Sequence, residues 1–278
     1  MRLARFEFEG RPGFGVVNGN RVFGPAASGA TFEEWLLRPP AAAALTGEGM
    51  PLQAVTLLPP LLEPANRIFA LGWSYLSHQE ETDHKKDPFP FFFLKDAQSL
   101  VGQGASIRRP RLSETFDFEG EFAVVIGKSG RHIPEDQALE HVAGYSILMD
   151  GSVREWQKHS VTAGKNFDAS SAYGPWIVTR DEISDPHDLR LTTRLNDQVV
   201  QDAGTGTLAW RISYLIHYCS SFTKLRTGDV ISTGTPGGVG SKRTPPLWLK
   251  PGDKLEVEVS GIGTLFNTVR EEGSGEPG

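Results

Sequence analysis

The run from Asp117 to Gly127 constrains the fold most strongly, because it sets two glutamates into a segment that otherwise has the composition of a core strand. Phe118, Phe122 and the aliphatic residues before Gly127 give it the length and apolar content of a buried strand rather than a solvated loop. Since strand side chains alternate between faces, Glu119 and Glu121 are predicted to point to the same side, about 7 Å apart.

Two carboxylates at this spacing can share one cation, and without a cation they repel each other. Burying either one unpaired is costly, and a hard divalent cation such as Mg2+ or Mn2+ removes that cost because it prefers carboxylate oxygens. The Glu-x-Glu pattern alone does not establish a metal site, since two isolated glutamates at this spacing more often lie on the solvent-exposed face of an antiparallel strand. Glu256 and Glu258 repeat the pattern beside a charged turn, and there we prefer the solvated interpretation.

The size and charge of the chain narrow its function. A chain of 278 residues is long enough for a sizeable core and for one or two domains. Its formal net charge of −6 provides no basic field for nucleic acid or an anionic membrane, so a small molecule is the expected partner. Cys219 is the one cysteine, which excludes a disulfide framework and a thiolate zinc cluster. Because the start has no apolar signal segment and no run is long enough to cross a bilayer, we expect a cytoplasmic protein.

The N-terminal part is predicted to contain a small β unit followed by a helix. Asn18-Gly19 lies between two β-prone runs, which is the strongest short-range signal of a hairpin. Thr31 and Glu34 have the spacing of a capping box and open a short amphipathic helix, which a pair of prolines ends.

The domain boundaries follow from a second pair of prolines, at positions 59–60, which precedes a new apolar run. We therefore predict a small N-terminal domain at 1–60 and a larger domain at 61–270. The last residues, 271–278, are rich in glycine and glutamate and are predicted to be a disordered tail.

The larger domain is predicted to mix strands with a few helices. Strands are expected at Tyr145–Met149, Asp229–Thr233 and Leu255–Val259. A short helix is expected from Pro134 to Leu139, and a longer one from Ala209 to Phe222, whose apolar face includes the one cysteine.

Reactive groups concentrate in four other segments, which are Ser74 to Glu81, Asp150 to Gln157, Gly164 to Asp168 and Ser232 to Lys242. His78 and Glu81 would meet on one helical turn, where a carboxylate fixes the imidazole tautomer and raises its basicity toward water. A surface His–Glu pair is the alternative interpretation.

The Gly-rich loop of the last segment fits neither Walker A nor Gly-x-Gly-x-x-Gly, so we reject a nucleotide site there. Its backbone N–H groups and the Thr235 hydroxyl are predicted to bind a substrate carboxylate. Covalent catalysis has little support, because the chain has no Gly-x-Ser-x-Gly elbow and its cysteine is expected in the core.

Taken together and in this order, the motifs resemble the fumarylacetoacetate hydrolase family from about Ile68 to Val269, in particular its acylpyruvases and 2-hydroxyhepta-2,4-diene-1,7-dioate isomerases. The matching residues are Gly72, Tyr75-x-x-His78-x-x-Glu81, Phe93-Leu94-Lys95, Asp117-Phe118-Glu119-Gly120-Glu121, Asp150-x-Ser152-x-Arg154-x-x-Gln157, Gly164-Lys165-x-Phe167-Asp168, Gly174-Pro175-Trp176, Asn196, Gln201, Gly228-Asp229-Val230-Ile231 and Thr233-Gly234-Thr235-Pro236. Each motif alone is weak, whereas the ordered set is highly specific. The chain departs from the family pattern at Ser74, Gly151 and Asp197, beside the pocket motifs, which bears on the identity of the substrate.

The resemblance implies an α+β fold that is predominantly β, with a mixed β-sandwich roll as the catalytic domain behind a small N-terminal α/β domain, usually in a homodimer. It implies Mg2+ or Mn2+ as the cofactor, bound by Glu119, Glu121 and Asp150. It also implies that His78 and Glu81 activate a water molecule and that Lys165 faces a developing enolate. The remaining substrate-binding residues that it implies are Lys95, Arg154, Gln157 and Thr235, with Thr235 on a carboxylate.

The activity that the resemblance implies is metal-dependent hydrolysis of a C–C bond in an acylpyruvate or related 1,3-diketo acid, giving a carboxylate and a 2-oxo acid. The same metal–enolate chemistry serves decarboxylation and isomerisation, so a decarboxylase of the oxaloacetate type or an isomerase of 2-hydroxydienedioates from aromatic catabolism is the alternative. A β-rich binding module with a structural cation is a third hypothesis. It assigns no function to His78, Glu81 or Lys165.

Overall fold

The protein is described here by a computed structural model that covers residues 1–25, 29–41, 45, 47–61 and 66–274. Within these ranges the strands are β1 (Arg2–Phe8), β2 (Arg11–Asn18), β3 (Arg21–Phe23), β4 (Met50–Pro51), β5 (Thr56–Leu58), β6 (Ile68–Gly72), β7 (Phe91–Lys95), β8 (Leu100–Val101), β9 (Ser106–Arg109), β10 (Phe116–Asp117), β11 (Gly120–Ile126), β12 (Val142–Met149), β13 (Ser152–Val153), β14 (Ser171–Thr179), β15 (Arg190–Leu195), β16 (Gln198–Gly204), β17 (Val230–Ser232), β18 (Lys254–Val259) and β19 (Gly263–Glu271). The α-helices are α1 (Phe32–Leu37), α2 (Leu76–Thr82), α3 (Arg154–Gln157), α4 (Val161–Lys165) and α5 (Ile212–Phe222). None of the helices in this part of the chain has the length and apolar content needed to cross a membrane.

The largest sheet contains twelve of the described strands and carries the residues that matter most below. Its path runs β4-β3-β2-β1-β14-β12-β11-β17-β6-β7, with β5 added beside β1 and β8 beside β14. The central strands β11 and β12 are buried along their whole length. They are near-continuous apolar runs because elements cover both of their faces.

A second sheet of five described strands, in the order β16-β15-β18-β19-β9, packs face to face against the first. In β15 and β18 buried residues alternate with more exposed ones, as expected for strands with one face on a core and one in water. Apolar side chains from both sheets meet in one cluster, represented by Phe122 and Ile147 from the first sheet and Val257 and Leu265 from the second. The predicted α+β fold with predominant β structure is therefore confirmed.

The N-terminal strands continue the large sheet rather than forming a separate one, because β1 pairs with β14. The predicted hairpin is present, with Asn18 opposite Arg21 across the turn between β2 and β3. The capping box is also present, since the Thr31 hydroxyl accepts a hydrogen bond from Glu34 N and the Glu34 carboxylate accepts one from Thr31 N. The domain division at 60/61 stays a prediction. Of the predicted tail, Glu271 still pairs in β19, and residues 275–278 lie outside the described residues.

The structure corrects the prediction of one continuous strand from Asp117 to Gly127. The chain pairs first with β13 through β10 and then leaves the ladder at Phe118 and Glu119. It joins β12 from Gly120 onward and β17 from Ala123 onward. Glu119 and Glu121 therefore do not share a face of one strand, because Glu119 lies in the crossing between two sheets.

Two smaller predictions also differ from the structure. The helix predicted from Pro134 is a 3-10 helix at Glu135–His141, and Gly144 lies inside β12 instead of before it. The long helix begins at Ile212, three residues later than predicted, and buries the face that carries Cys219 as expected.

Candidate active site

Three acids converge where β11 begins and β12 ends. The antiparallel register pairs Gly120 with Met149 and Glu121 with Leu148. One step further, the N–H of Asp150 donates a 2.8 Å hydrogen bond to the carbonyl oxygen of Glu119. The register therefore brings Asp150 to Glu119 and Glu121, although it lies about thirty residues further along the sequence, and all three are buried.

The donor set of this triad fits a hard divalent cation. One carboxylate oxygen from each of Glu119, Glu121 and Asp150 lies within 4.8 Å of the other two. Oxygen ligands at such a spacing suit Mg2+ or Mn2+. Oδ1 of Asp150 is buried and accepts no hydrogen bond from the described residues, although Lys95 Nζ lies 2.8 Å from it. A metal ion bound at the triad would share this oxygen with the Lys95 ammonium group.

Lysine and arginine side chains surround the triad. Lys165 Nζ bridges two of the acids, bonding Glu119 and donating a 2.6 Å hydrogen bond to Asp150 Oδ2. Arg154 Nη2 donates a 2.6 Å hydrogen bond to Glu119 Oε1. Burial alone would raise the pKa of Glu119, but Arg154 and Lys165 outweigh it and hold that pKa well below its usual range. Glu119 is therefore an anion, as a metal ligand must be.

Glu121 and the two lysines respond differently to burial. Burial, followed by repulsion from Asp150, raises the pKa of Glu121 to about 8. Burial lowers the pKa of Lys95, against the attraction of Asp150. Burial also acts to lower the pKa of Lys165, but the attraction of Asp150 and Glu119 outweighs burial and raises that pKa.

Hydroxyl groups orient two of the acids. Ser232 Oγ donates to Glu121 Oε2 over 2.5 Å, and Ser152 Oγ donates to Glu119 Oε2 over 3.0 Å. The N–H of Gly234 also donates to Glu121 Oε2, over 3.3 Å. Hydrogen bonds of this kind fix the direction of metal-ligating carboxylates.

The predicted His–Glu pair forms on α2. Nδ1 of His78 lies 3.2 Å from Glu81 Oε2, and the other oxygen of Glu81 accepts a 2.8 Å hydrogen bond from Gly238 N. A proton on Nδ1 is the arrangement that this carboxylate favours, which leaves Nε2 as the basic nitrogen. His78 is buried, so the pair is not a solvated surface contact.

A cavity of about 510 Å3 opens beside these groups. The predicted site residues that line it are His78, Glu119, Arg154, Gln157, Lys165 and Thr235. Glu81, Lys95, Glu121 and Asp150 do not line it but contact lining residues or one another from behind. The structure thus gathers the predicted residues in one place, while the role of each stays a prediction.

The prediction that the backbone N–H groups of the Gly-rich loop bind a substrate carboxylate is wrong for four of them. Gly237 N donates to Ser77 Oγ, Gly238 N to Glu81, and the N–H groups of Gly240 and Ser241 to Asp117. Side chains that are distant in the sequence accept the hydrogen bonds of these four N–H groups. The sequence of the loop alone could not reveal these acceptors. The Thr235 hydroxyl is also engaged, since it donates to Gly120 O and accepts a hydrogen bond from Gln201 Nε2.

Comparison with known proteins identifies the family. Residues 67–270 match the family described as Fumarylacetoacetate (FAA) hydrolase C-terminal. The chain belongs to the fumarylacetoacetate hydrolase family. Residues 1–60 match a second family, described as Rv2993c-like, N-terminal. The resemblance drawn from the ordered motifs is confirmed.

Relatives within the family carry names of different reactions. The human protein named Oxaloacetate tautomerase FAHD2A, mitochondrial, is 38% identical over 224 residues, which are 79% of this chain and 71% of that protein. The 2-hydroxyhepta-2,4-diene-1,7-dioate isomerase from Mycobacterium marinum is 32% identical, with a TM-score of 0.81 over 99% of this chain and 100% of that chain. The maleylpyruvate hydrolase from Sphingobium sp. SYK-6, solved in complex with manganese (II) ion and pyruvate, is 30% identical, with a TM-score of 0.81 over 98% of this chain and 99% of that chain.

The three departures from the family pattern are accommodated away from the cavity. Ser74 is buried and its hydroxyl donates to the carbonyl oxygen of Thr233. Gly151 has no room for a side chain, because a Cβ there would lie 1.8 Å from Ser170 O. Asp197 occupies the turn between β15 and β16 with a φ of +67°. None of the three lines the cavity formed by the described residues.

Two residues that support the site were matched to family motifs in the sequence, but no role was assigned to them. Asp117 is fully buried and binds Arg154 as well as the Gly-rich loop. Gln201 links the loop to β11, since its Oε1 accepts a hydrogen bond from Gly120 N and its Nε2 donates to Thr235. Both residues belong to the family motifs. For Asp117, an acid beside an otherwise apolar strand was the sequence signal that could have indicated a supporting role.

Proposed function

We propose that the chain is a divalent-metal-dependent enzyme that forms and stabilises the enolate of a 2-oxo acid, and that its reaction is hydrolytic cleavage of a C–C bond in an acylpyruvate or related 1,3-diketo acid. One observation carries the proposal. A carboxylate-bound imidazole, His78 with Glu81, lines the same cavity as Lys165 and Glu119. A base and a cationic group facing one cavity are what the attack of water and the stabilisation of an oxyanion require.

Glu119, Glu121 and Asp150 would hold the cation, which supplies Lewis acidity and a template for the 2-oxo carboxylate end of the substrate. Mg2+ or Mn2+ is the proposed ion because all three side chains offer hard oxygen ligands. The Mn2+ and pyruvate named with the Sphingobium hydrolase support both the ion and the kind of product.

The side chains of the protein perform the proton transfers. His78 takes a proton from water through Nε2, while Glu81 stabilises the imidazolium that forms. The water oxygen attacks the acyl carbonyl, the bond between that carbon and the methylene group breaks, and its electron pair becomes the enolate of the 2-oxo acid. Lys165 stabilises the enolate oxygen, and the methylene carbon then takes up the proton that His78 received from water, which regenerates the base. The products are one carboxylate and one 2-oxo acid, so one water molecule is consumed.

Keto–enol tautomerisation of oxaloacetate is the second candidate. The name of the human relative that shares 38% of the aligned residues favours it. That reaction needs a base and a stabilised enolate but no water attack, so His78 and Lys165 would serve it without a nucleophile.

Product analysis separates the two candidates. Acetylpyruvate is incubated with the purified protein and Mg2+, and the products are followed by NMR against a sample with excess chelator. Metal-dependent formation of acetate and pyruvate supports C–C hydrolysis. In parallel, the loss of the enol absorbance of oxaloacetate is recorded at constant pH. Pyruvate is measured in the same sample, because decarboxylation of oxaloacetate would yield pyruvate whereas tautomerisation would not.

A protein that accelerates only the loss of oxaloacetate enol, without releasing pyruvate, would be a tautomerase. If neither compound reacts faster with metal and protein than with metal alone, the proposed enolate chemistry is wrong for these substrates. His78→Ala is the control for contaminating activity, because it removes the base and leaves the three acids in place.

A further inference from the structure

The carboxylate of Glu81 is held at both of its oxygens. Oε2 lies 3.2 Å from Nδ1 of His78, and Oε1 accepts a 2.8 Å hydrogen bond from the N–H of Gly238. The Glu81 side chain is only partly buried, with 20% of its surface exposed, so packing alone does not fix its direction. The orientation of this carboxylate toward the imidazole therefore depends on where the N–H of Gly238 points.

Gly238 has a backbone conformation that other residues rarely adopt. Its φ is +102°, and a Cβ at this position would clash with the carbonyl oxygen of Val200. The loop backbone therefore lies directly against β16, the strand that contains Val200. Glycine permits this conformation but does not enforce it, because glycine has the least restricted backbone of all residues. Another group must hold Gly238 in place.

Arg243 supplies this hold. Its Nε donates a 3.1 Å hydrogen bond to the carbonyl oxygen of Gly238, and its Nη2 donates one of 2.5 Å to the carbonyl oxygen of Val200. A planar guanidinium group with N–H donors in fixed directions can bridge two carbonyl oxygens in this way. Arg243 is half-buried and does not line the cavity formed by the described residues, so it holds the backbone and does not reach a substrate there.

The neighbouring parts of the loop have supports of their own. Asp117 binds N–H groups on the C-terminal side of Gly238, and Gln201 binds a carbonyl oxygen on its N-terminal side. At Gly238 itself, the side chains that form hydrogen bonds within the described part of the chain are those of Glu81 and Arg243. The direction of this one N–H group thus depends on Arg243 more than on the rest of the loop.

We propose that Arg243 is a positioning residue for the His78–Glu81 pair. By fixing Gly238 on β16, it aims the Gly238 N–H at Glu81, so that the other oxygen of this carboxylate faces Nδ1 of His78. The inference rests on the proposed function, in which His78 takes a proton from water through Nε2. Because a proton on Nδ1 leaves Nε2 basic, the orientation of Glu81 sets the fraction of the imidazole that is in the active tautomer.

The tautomer of His78 is the measurement that tests this role, because a loss of folding stability alone does not change the tautomer in the folded protein. Protein labelled with 15N in its histidine rings is studied by long-range 1H–15N correlation NMR at about pH 9, where unperturbed imidazoles are neutral. The chain has seven histidines, and His78→Ala identifies the signals of His78. Glu81→Ala gives the tautomer distribution in the absence of the carboxylate.

Two substitutions of Arg243 are compared with a matched control. Arg243→Met removes the guanidinium group and keeps an apolar stem. Arg243→Lys keeps the charge without the two fixed donors, and it replaces the methionine variant if that protein does not fold. The control is Arg190→Met, because Arg190 on β15 bonds Asp202 of β16 and no residue of the Gly-rich loop among those described. Circular dichroism verifies that each variant is folded.

We expect the wild type and Arg190→Met to carry the His78 proton mainly on Nδ1. Arg243→Met should shift the distribution about halfway or more toward that of Glu81→Ala, and Arg243→Lys should shift it less. In the Glu81→Ala background, Arg243→Met should have no further effect, because Arg243 acts through that carboxylate.

The proposed role also predicts a specific kinetic change. On the substrate found by product analysis, Arg243→Met should lower kcat about tenfold, which is a part of the roughly 10²- to 10⁴-fold that a positioned general base contributes. KM and the affinity for Mg2+ should not change, since Arg243 neither lines the cavity nor belongs to the acid triad.

The outcomes separate this inference from the proposed function. A wild-type tautomer distribution in the folded Arg243 variants would overturn the role of Arg243 and leave the proposed function standing. An equal shift in Arg190→Met, or a further shift caused by Arg243→Met in the Glu81→Ala background, would also overturn it. If the wild type and Glu81→Ala share one distribution, Glu81 does not orient His78. The base assigned in the proposed function is then wrong, and this inference with it.

Discussion

Replacing Asp117 with asparagine should disrupt the support of the cavity wall while leaving the metal-binding acids in place. The Asp117 carboxylate accepts hydrogen bonds from Gly240 N over 2.8 Å and Ser241 N over 2.9 Å. It also accepts one from Arg154 Nε over 2.8 Å and lies 2.7 Å from Arg154 Nη2. An asparagine of the same shape has one accepting oxygen, and its NH2 group would face N–H donors.

The magnitude follows from the bonds that are lost. If the amide oxygen stays with Gly240, the NH2 group replaces the oxygen that bound Ser241 and Arg154. An unsatisfied buried backbone donor costs about 1–3 kcal/mol, and a hydrogen bond to a charged group contributes about 1.5–3 kcal/mol. Arg154 keeps its bond to Glu119, so we expect a net loss of about 3 kcal/mol of unfolding free energy. For a chain of this size this corresponds to a Tm lower by roughly 6–12 °C.

Urea unfolding followed by circular dichroism measures the change, and Asp253→Asn is the matched control. Asp253 accepts hydrogen bonds of similar length, 2.8 Å from Asn196 Nδ2 and 2.7 Å from Lys250 N, but it is only half-buried. Water can replace its lost bonds, so its substitution should cost less than about 1 kcal/mol. If Asp117→Asn is no less stable than Asp253→Asn, the carboxylate is not the support that its hydrogen bonds indicate.

Three further predictions concern the chemistry of the site. His78→Ala should retain Mg2+ binding and lose about 10²- to 10⁴-fold in kcat, whereas Glu119→Ala should lose both, as calorimetry and product assays will show; metal loss in His78→Ala would contradict this. Because burial and then Asp150 raise the pKa of Glu121 to about 8, the metal-free protein holds a proton there at pH 7, and Mg2+ binding should release it. The affinity for Mg2+ should rise with pH up to about 8 and then level off, and calorimetry in two buffers of different ionisation enthalpy counts the proton; no release at pH 7 would refute the assignment. Cys219 is fully buried and burial raises its pKa, so it should react with a thiol reagent only after denaturation, and rapid native labelling would contradict its place in the core.

Sequence patterns correctly predicted the parts of the structure that depend on residues close together in the chain. His78 and Glu81 are one helical turn apart, and helical spacing alone brings them to 3.2 Å. The capping box of Thr31 and the apolar face of α5 were equally predictable, because each depends on residues close together in the sequence.

The parts that remained hidden depend on pairings across the chain. The break before Gly120 exists because β10 pairs with β13, about thirty-five residues further along. In the same way, N–H groups that the Gly-rich loop was predicted to offer to a substrate are bound by Asp117 and Glu81, which lie more than one hundred residues before the loop in the sequence. The residues next to a donor in the sequence do not reveal which distant side chain will bind it. The order of motifs along the whole chain, by contrast, identified the family. The family could therefore be predicted, whereas the hydrogen-bond partners of the loop could not.

The charge balance of the buried cluster connects the metal site with the proposed substrate. Among the described residues it contains four acids, Asp117, Glu119, Glu121 and Asp150, and three cations, Lys95, Arg154 and Lys165. One negative charge is left over, and a proton on Glu121, whose pKa burial and Asp150 raise to about 8, would neutralise it when no metal is bound. A divalent cation that displaces this proton turns the excess into a single positive charge, which one substrate carboxylate balances. Under the proposed function, the metal-binding end of the cavity is therefore matched in charge to the carboxylate of a 2-oxo acid.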